Sequence, residues 1–359
     1  MATKRQHYVP QTYLNSWKTQ VETQREPDKK FDGVYYFEEG SIIGDGRNVD
    51  TILWEPHLYT IGFDKLYIAK KCPLVYNQFV DMVFETMKNN KPFPVYGKLG
   101  YSVIKKKESI RKHLHDIEKW NFFYYNNNPA KGKSIINRVN DYNCYILEEC
   151  FGSLFETQWQ TIKNNFICDI KSKLPLPGST NEIQIDKTTA ENMLEFLIMM
   201  QCRSPQFDPI SVYSWAKSLL KNTFMDDEIA EEMIESVWFT ELYKMFYKTK
   251  GGYYHTLFER AKENCQFILF EAYPNTVTFI TTDNPAFLHM SAVEANNMNG
   301  IYFPIDPTHM LLLGKGNEGI DIISYRMADI DTIRMFNRII FSHKTKTIVS
   351  CENVLDRII

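Results

Sequence analysis

The chain has 359 residues, 24% of them charged and 44% hydrophobic, with a formal net charge of −3. That length predicts one elaborated domain or two domains with a large core, and the near-neutral charge excludes a general polyanion binder. No apolar run approaches the roughly 18–20 residues that span a bilayer, and the polar start lacks a signal-peptide core, so the expectation is a cytoplasmic protein without a membrane segment.

The first eight informative residues are His7-Tyr8-Val9-Pro10-Gln11-Thr12-Tyr13-Leu14. Pro10 fixes its own φ and pushes Val9 toward extended geometry, which would present His7 on a stiffened segment. A histidine so placed suits proton transfer; a strand-capping structural role has equal weight. The segment 1–62 otherwise reads as strands and turns, with a β-type run at 34–37 and turns at 38–40 and 44–46.

Residues 64–140 read as an insertion or subdomain within a single domain that covers 1–359. Phe79, Val80, Val83, Phe84 and Met87 fall at spacings of three and four and predict a helix over 77–88. A basic, helix-like segment follows at 104–120, then the aromatic run Trp120-Asn121-Phe122-Phe123-Tyr124-Tyr125. Residues 98–138 hold ten Lys/Arg, among them Lys105, Lys106, Lys107 and Arg111, against three acids. This local +7 leaves −10 for the rest, an asymmetry that points to nucleic acid or a nucleotide as partner. The aromatics could stack on a single strand; each taken singly is more often core.

The pattern predicts one long helix over 141–173. On it Glu149 and Glu156, seven apart, would lie about 20° apart around the axis. Two carboxylates on one face can hold a hard cation or divide acid and base roles, although such glutamates are more often solvated or salt-bridged. Helices are also predicted at about 186–203, with Asp186 as N-cap, at 209–222 and at 226–247. Arg203 suits the C-terminal end of its helix by charge, or could grip a carboxylate or phosphate with its fork. The last hundred residues predict strands at 266–272, 277–282, 301–305, 310–313 and 345–350, and a helix at 328–342. Thr281-Thr282-Asp283-Asn284-Pro285 then reads either as a tight turn or as a carboxylate and an amide projected from a strand edge. The fold class is α+β: a helical middle, with a mainly antiparallel sheet assembled from the N-terminal and C-terminal segments. Seven scattered cysteines without C-x-x-C spacing argue against a zinc ribbon or a disulfide framework.

Taken together these motifs resemble the bacterial family catalogued as domain of unknown function 4238. The resemblance rests on the HYVPQ-x-YL block at 7–14, Glu149 with Glu156, Gln201 with Arg203-Ser204-Pro205, Thr281 to Pro285, Pro304-Ile305-Asp306-Pro307, and Asn337 on the last helix. It covers 1 to about 62 and about 141 to 350, and leaves 64–140 unexplained. The resemblance implies no reaction, but it implies that His7, Glu149, Glu156, Arg203, Asp283, Asn284 and Asn337 converge. The residue types lead to the expectation of a metal-assisted hydrolase of phosphodiesters, in bacterial defence. His7, Glu149, Glu156 and Asp283 would be catalytic, and Gln11, Arg203, Asn284 and Asn337 would bind substrate with Lys105, Lys106, Lys107 and Arg111. Glu156 and Asp283 would hold Mg²⁺ or Mn²⁺. The alternative is a non-catalytic ligand sensor or interaction module. No G-x-S-x-G motif or recognisable cysteine nucleophile is present.

Overall fold

A computed structural model describes residues 5–60, 70, 73–175, 181–207, 227–248, 250–290 and 299–359. The helix expected at 209–222 lies outside the described residues. The chain divides into two units: a larger one of His7–Glu55, Gly152–Phe207 and Tyr253–Ile359, and a smaller one of Met1–Gln6, Pro56–Phe151 and Asp208–Gly252. The segment 64–140 falls in the smaller unit.

In chain order the N-terminal part carries β1 (Arg5–His7), α1 (Gln11–Leu14), β2 (Thr19–Thr23), β3 (Glu26–Phe37), β4 (Asp45–Arg47) and β5 (Trp54–Pro56). Next come α2 (Pro73–Lys88), β6 (Val95–Leu99), β7 (Ser102–Ile104), α3 (Lys107–His113), β8 (Asn121–Tyr124) and β9 (Pro129–Ala130). The middle holds α4 (Lys133–Leu154), α5 (Trp159–Lys173), β10 (Asn181–Gln184), α6 (Lys187–Arg203), α7 (Asp227–Phe246) and α8 (Tyr253–Asn264). The C-terminal part holds β11 (Cys265–Ala272), β12 (Thr281–Thr282), β13 (Phe287–His289), β14 (Gly300–Asp306), β15 (His309–Lys315), β16 (Ile322–Ala328), α9 (Ile330–Ser342) and β17 (Ile348–Ser350). The α+β class holds.

The larger unit is built on a six-stranded sheet in the order β10-β16-β11-β15-β14-β13, antiparallel except for β11 with β16. Side chains alternate across a strand, and here both faces are covered, which is why β15 reads as a continuous apolar run from Met310 to Leu313. On one face Trp159 of α5 stacks on Phe196 of α6 at 4.1 Å and meets Phe303 of β14 edge-on at 5.8 Å. On the other, Tyr302, Met310 and Leu312 join Phe336 and Ile340 of α9 and Phe37 and Ile348 of a second sheet. That second sheet runs β12-β17-β3-β2, so strands from both ends of the chain lie side by side, as expected.

The N-terminal block reaches the C-terminal half through its aromatic residues. Tyr13 donates its hydroxyl to Pro304 O at 2.7 Å and lies 2.8 Å from Thr281 Oγ1, and its ring stacks on Phe303. Trp17 Nε1 donates to Phe279 O at 3.0 Å. His7 and Tyr8 have different anchors: Tyr8 N donates to Leu53 O at 3.1 Å, and His7 Nε2 lies 3.3 Å from Asp50 O.

Several sequence expectations need correction. The helix expected over 141–173 is two helices, α4 and α5. Phe155 leaves helical geometry at φ −128°, ψ −55°, and a 3₁₀ turn, Glu156–Gln158, follows. Glu149 and Glu156 therefore do not share a helical face, because the continuous rotation that would align them is broken between them. The strand expected at 277–282 is only Thr281–Thr282. Residues 278 and 280 instead bond the Asn337 side chain: Asn337 Nδ2 donates to Thr278 O at 2.8 Å and Ile358 O at 2.6 Å, and Ile280 N donates to its Oδ1 at 3.1 Å. Asn337 is a clamp on the backbone rather than a substrate-binding amide. The helix expected from 328 begins at 330, capped by Asp329, whose side chain accepts from Thr332 N. Before it lies β16, a strand the sequence reading omitted.

The smaller unit holds a four-stranded antiparallel sheet, β7-β6-β8-β9. Gly100, at φ +55°, makes the tight β6–β7 turn that disfavours a side chain. Val95, Tyr96, Ile104, Trp120 and Phe122 are buried with Val75, Phe79, Val80, Val83 and Met87 of α2. A second aromatic core joins Tyr59, Phe151, Trp238 and Phe246.

Replacing Asn337 with Ala should strand three backbone groups, two buried and one half-buried, each worth about 1–3 kcal/mol when buried and unsatisfied. Urea unfolding should show a loss of about 3 kcal/mol or more; a change below about 1 kcal/mol would contradict the clamp.

Candidate functional site

Arg203 ends α6 with 1% of its surface exposed. Its Nε donates to His7 O at 3.0 Å, Nη2 donates to the same carbonyl, and Nη1 pairs with Glu156 Oε1. The fork expected to hold an anion of substrate thus holds a backbone carbonyl and a carboxylate of the protein itself. Above it the His7 ring meets the Gln11 amide, whose Nε2 lies 3.2 Å from His7 Nε2 and 3.5 Å from Nδ1. Burial lowers the His7 pKa; the Asp50 carbonyl opposes this, Arg203 adds to it, and Glu156 opposes it. The imidazole is therefore neutral at pH 7. The structure brings His7, Gln11, Glu156 and Arg203 into one bonded cluster.

The other expected members do other things. Asp283, 2% exposed, accepts Thr345 N at 2.9 Å and Lys346 N at 2.7 Å, one on each oxygen. Burial raises its pKa and these amides pull it down. It closes the segment between α9 and β17 onto the turn after β12. Asn284 N donates to Thr282 Oγ1 at 3.1 Å, so the Thr-Thr-Asp-Asn-Pro element is a bonded turn. The phenol of Tyr8, missed in the sequence reading, is pushed up by burial and then by the Asp283 charge. Glu149 is exposed in the smaller unit.

A hard divalent cation needs several oxygen ligands turned toward it. Glu156 is engaged by Arg203, and both Asp283 oxygens accept backbone amides. Among the described residues no group of three or more His, Cys, Asp or Glu side chains is placed to hold a metal. This donor set does not fit the Mg²⁺ or Mn²⁺ that Glu156 and Asp283 were expected to hold.

A second ionic cluster lies in the larger unit. His309 opens β15, 6% exposed, with Nδ1 2.9 Å from Asp306 Oδ1 and Nε2 3.7 Å from Glu271 Oε2, an ion-pair distance rather than a hydrogen bond. Glu271 also takes Lys171 Nζ at 2.8 Å and the Tyr325 hydroxyl at 2.8 Å. Lys171, Glu271 and Tyr325 line a pocket of about 470 Å³ with Leu174, Tyr273 and Met327. Burial disfavours charge at all three ionisable groups, and their mutual contacts outweigh it: His309 is raised, while Asp306 and Glu271 each fall to about 2. The Asp306-x-x-His309 spacing was the only local signal for this cluster; Glu271 joins through the pairing of β11 with β15.

The basic region lies on the smaller unit's sheet. Lys105 Nζ sits 4.2 Å from the Tyr96 ring centroid and 5.3 Å from that of Tyr125; Lys98 Nζ sits 4.7 Å from that of Phe123. A pocket of about 470 Å³ is walled by Phe84, Met87, Phe93, Tyr124 and Tyr125, with Lys88, Lys105 and Asn126 at its polar side. Phe93 and Tyr125 are 62% and 59% exposed. The aromatic run thus divides: Trp120 and Phe122 are core, Tyr124 and Tyr125 form the pocket wall. Lys106 is exposed beside it, its backbone capped by Ser109 Oγ at 3.1 Å. Lys107 pairs with Asp81 at 2.8 Å, and Arg111 donates to Asn77 Oδ1 at 2.8 Å.

His309 makes a signed pH prediction. Its raised pKa gives stability that is full below the free value near 6.5 and is lost as pH rises through the folded value. Asp306 and Glu271, at about 2, give stability that is full above their free values and is lost as pH falls toward 2. The stability difference between wild type and His309→Gln should therefore peak at about pH 5–6.5 and shrink on both sides. A difference that grows toward pH 9 would contradict it.

No helix among the described residues is long and apolar enough to cross a membrane. No curated protein and no solved structure matches the chain. The family described as protein of unknown function (DUF4238) matches residues 5–353, nearly the whole length, with the N-terminal block, the Arg203 clamp and the turn after β12 all inside the match. The chain belongs to the DUF4238 family.

Proposed function

We propose that this protein binds single-stranded nucleic acid through the basic aromatic pocket of its smaller unit. The observation that carries the reading is Lys105, whose ammonium lies over the Tyr96 and Tyr125 rings at the side of a pocket walled by Phe93 and Tyr124. Exposed rings offer stacking surfaces, and every base has a π-face, so such a pocket accepts bases without strong sequence preference. Lys105, within a segment of net +7 over 98–138, and Lys88, on α2, supply charge for the phosphates. Asn126 offers an amide to a base edge.

A hydrolytic role remains a second reading, favoured by one observation: burial keeps the His7 imidazole neutral and able to accept a proton at pH 7. The metal-assisted form of that reading has no support in the contacts of Glu156 and Asp283. Product formation from RNA, DNA or nucleotides that is lost in His7→Ala would favour hydrolysis over plain binding.

The binding reading is tested by fluorescence anisotropy with labelled single-stranded RNA and DNA decamers. Stacking contributes about 1–3 kcal/mol per base, so Tyr125→Ala should weaken binding roughly tenfold. Lys105→Gln should lower the salt slope by about 0.7, the share of one phosphate on a single strand. Unchanged affinity in both variants would sink the reading.

A further inference from the structure

A second cavity, of about 430 Å³, opens elsewhere on the smaller unit, lined by Lys70, Pro73, Tyr76, Asn77 and Arg111. Its chemistry differs from the first. Two cations face it, with a carboxamide and a phenol, and few apolar side chains. Lys70 Nζ lies 5.6 Å from the Tyr76 ring centroid. Arg111 gives one N–H to Asn77 Oδ1, and Tyr76 donates its hydroxyl to Arg111 O at 2.9 Å, so the arginine is held at both its backbone and its fork. A guanidinium and an ammonium at the rim of one cavity suit a phosphate group.

The two cavities are related by one helix. Pro73, Tyr76 and Asn77 of α2 line the polar cavity; Phe84, Met87 and Lys88 of the same helix line the aromatic pocket. At about 100° per residue these six positions fall within an arc of about 120°, so both cavities open on one side of α2. From Tyr76 to Met87 the helix rises about 16 Å. Between them α3 lies against α2 and carries the cations across. Lys107 Nζ is 2.8 Å from Asp81 and 5.4 Å from the Phe84 ring centroid, and Arg111 follows one turn later on the same face of α3. Lys105, Lys107 and Arg111 thus lead in order from the aromatic pocket to the polar one. The Asp81 carboxylate beside this route is paired with Lys107.

We propose that the two cavities are the ends of one single-strand track: the aromatic pocket takes a base, and the Lys70–Arg111 cavity takes a backbone phosphate farther along the same strand. The proposal rests on the nucleic-acid reading above and adds a length to it. A span of about 16 Å corresponds to about five stacked nucleotides at 3.4 Å each, or fewer if the strand is extended. The track therefore has a minimum ligand length, which a lone base pocket would not have.

The test is anisotropy with the full chain and labelled single-stranded RNA and DNA of one to ten nucleotides, using wild type, Arg111→Gln and Lys70→Gln. Wild-type affinity should climb with length to about five nucleotides and then level off. Arg111→Gln and Lys70→Gln should each weaken a six-nucleotide strand about tenfold and leave a dinucleotide within twofold. Each should also lower the salt slope for the longer strand, by at most about 0.7, the share of the one phosphate both cations hold, and not for the dinucleotide. Equal effects on short and long strands, no effect on either, or affinity independent of length would overturn the track while leaving the base pocket standing. No binding at any length would overturn the nucleic-acid reading and the track with it. Thermal midpoints measured alongside should be unchanged, since both cations lie at the surface; a fall in midpoint that accounts for the weakened binding would overturn the phosphate assignment.

Discussion

Arg203 places a full positive charge where almost none of its surface meets water, and such a charge is tolerated only when its N–H groups are paired. Its pairing joins three separated stretches of sequence: α6, which carries it, the carbonyl of His7, and the carboxylate of Glu156 just past the α4–α5 break. The break is what lets Glu156 meet this demand. A continuous helix through Phe155 would carry Glu156 around the axis instead of setting it in the 3₁₀ turn where Arg203 meets it. Once His7 is held, the next turn of chain delivers Tyr13 and Trp17 to Pro304, Thr281 and Phe279, and the N-terminal block becomes a brace across the C-terminal sheets.

The polar residues shared with the family motifs are therefore mostly occupied with architecture. Asp283 takes two backbone amides and Asn337 serves three backbone groups. Arg203 ties the amino-terminal segment to the middle. Polar groups with so many fixed partners are poor candidates for chemistry that needs a free lone pair or an open coordination position. The smaller unit is built on a different principle. Its core takes Trp120 and Phe122, and it leaves Phe93 and Tyr125 at the surface next to lysines. Exposed large apolar groups in a cluster are the features that ask for an explanation, whereas a buried aromatic does not.

Local rules made part of this visible in the sequence. The Asp186 cap, the spacing of Phe79, Val83 and Met87, and the apolar runs of β14 and β15 each follow from neighbours within a few residues. What stayed hidden depends on distant partners. The apolar period continues smoothly past Phe155, and Gly152 is the one local hint of the break at which Arg203 meets Glu156. Val277 to Ile280 has strand composition, but its backbone is taken by Asn337 from a helix 57 residues on. Residues 322–328 mix apolar and polar positions without clean alternation, because β16 is covered on both faces over only part of its length. The basic excess at 98–138 was legible from charge, and Lys105 and Arg111 with it. The cavities they face were not, since their walls come from α2 and from the turn carrying Phe93.

Arg203 holds the larger unit together rather than holding a ligand. Arg203→Lys keeps the charge and loses the fork, so it separates the two roles on one sample. Urea unfolding should show a loss of about 2–3 kcal/mol, while the folded protein keeps its affinity for a single-stranded decamer within twofold. Unchanged stability with lost binding would contradict the account and return Arg203 to the ligand.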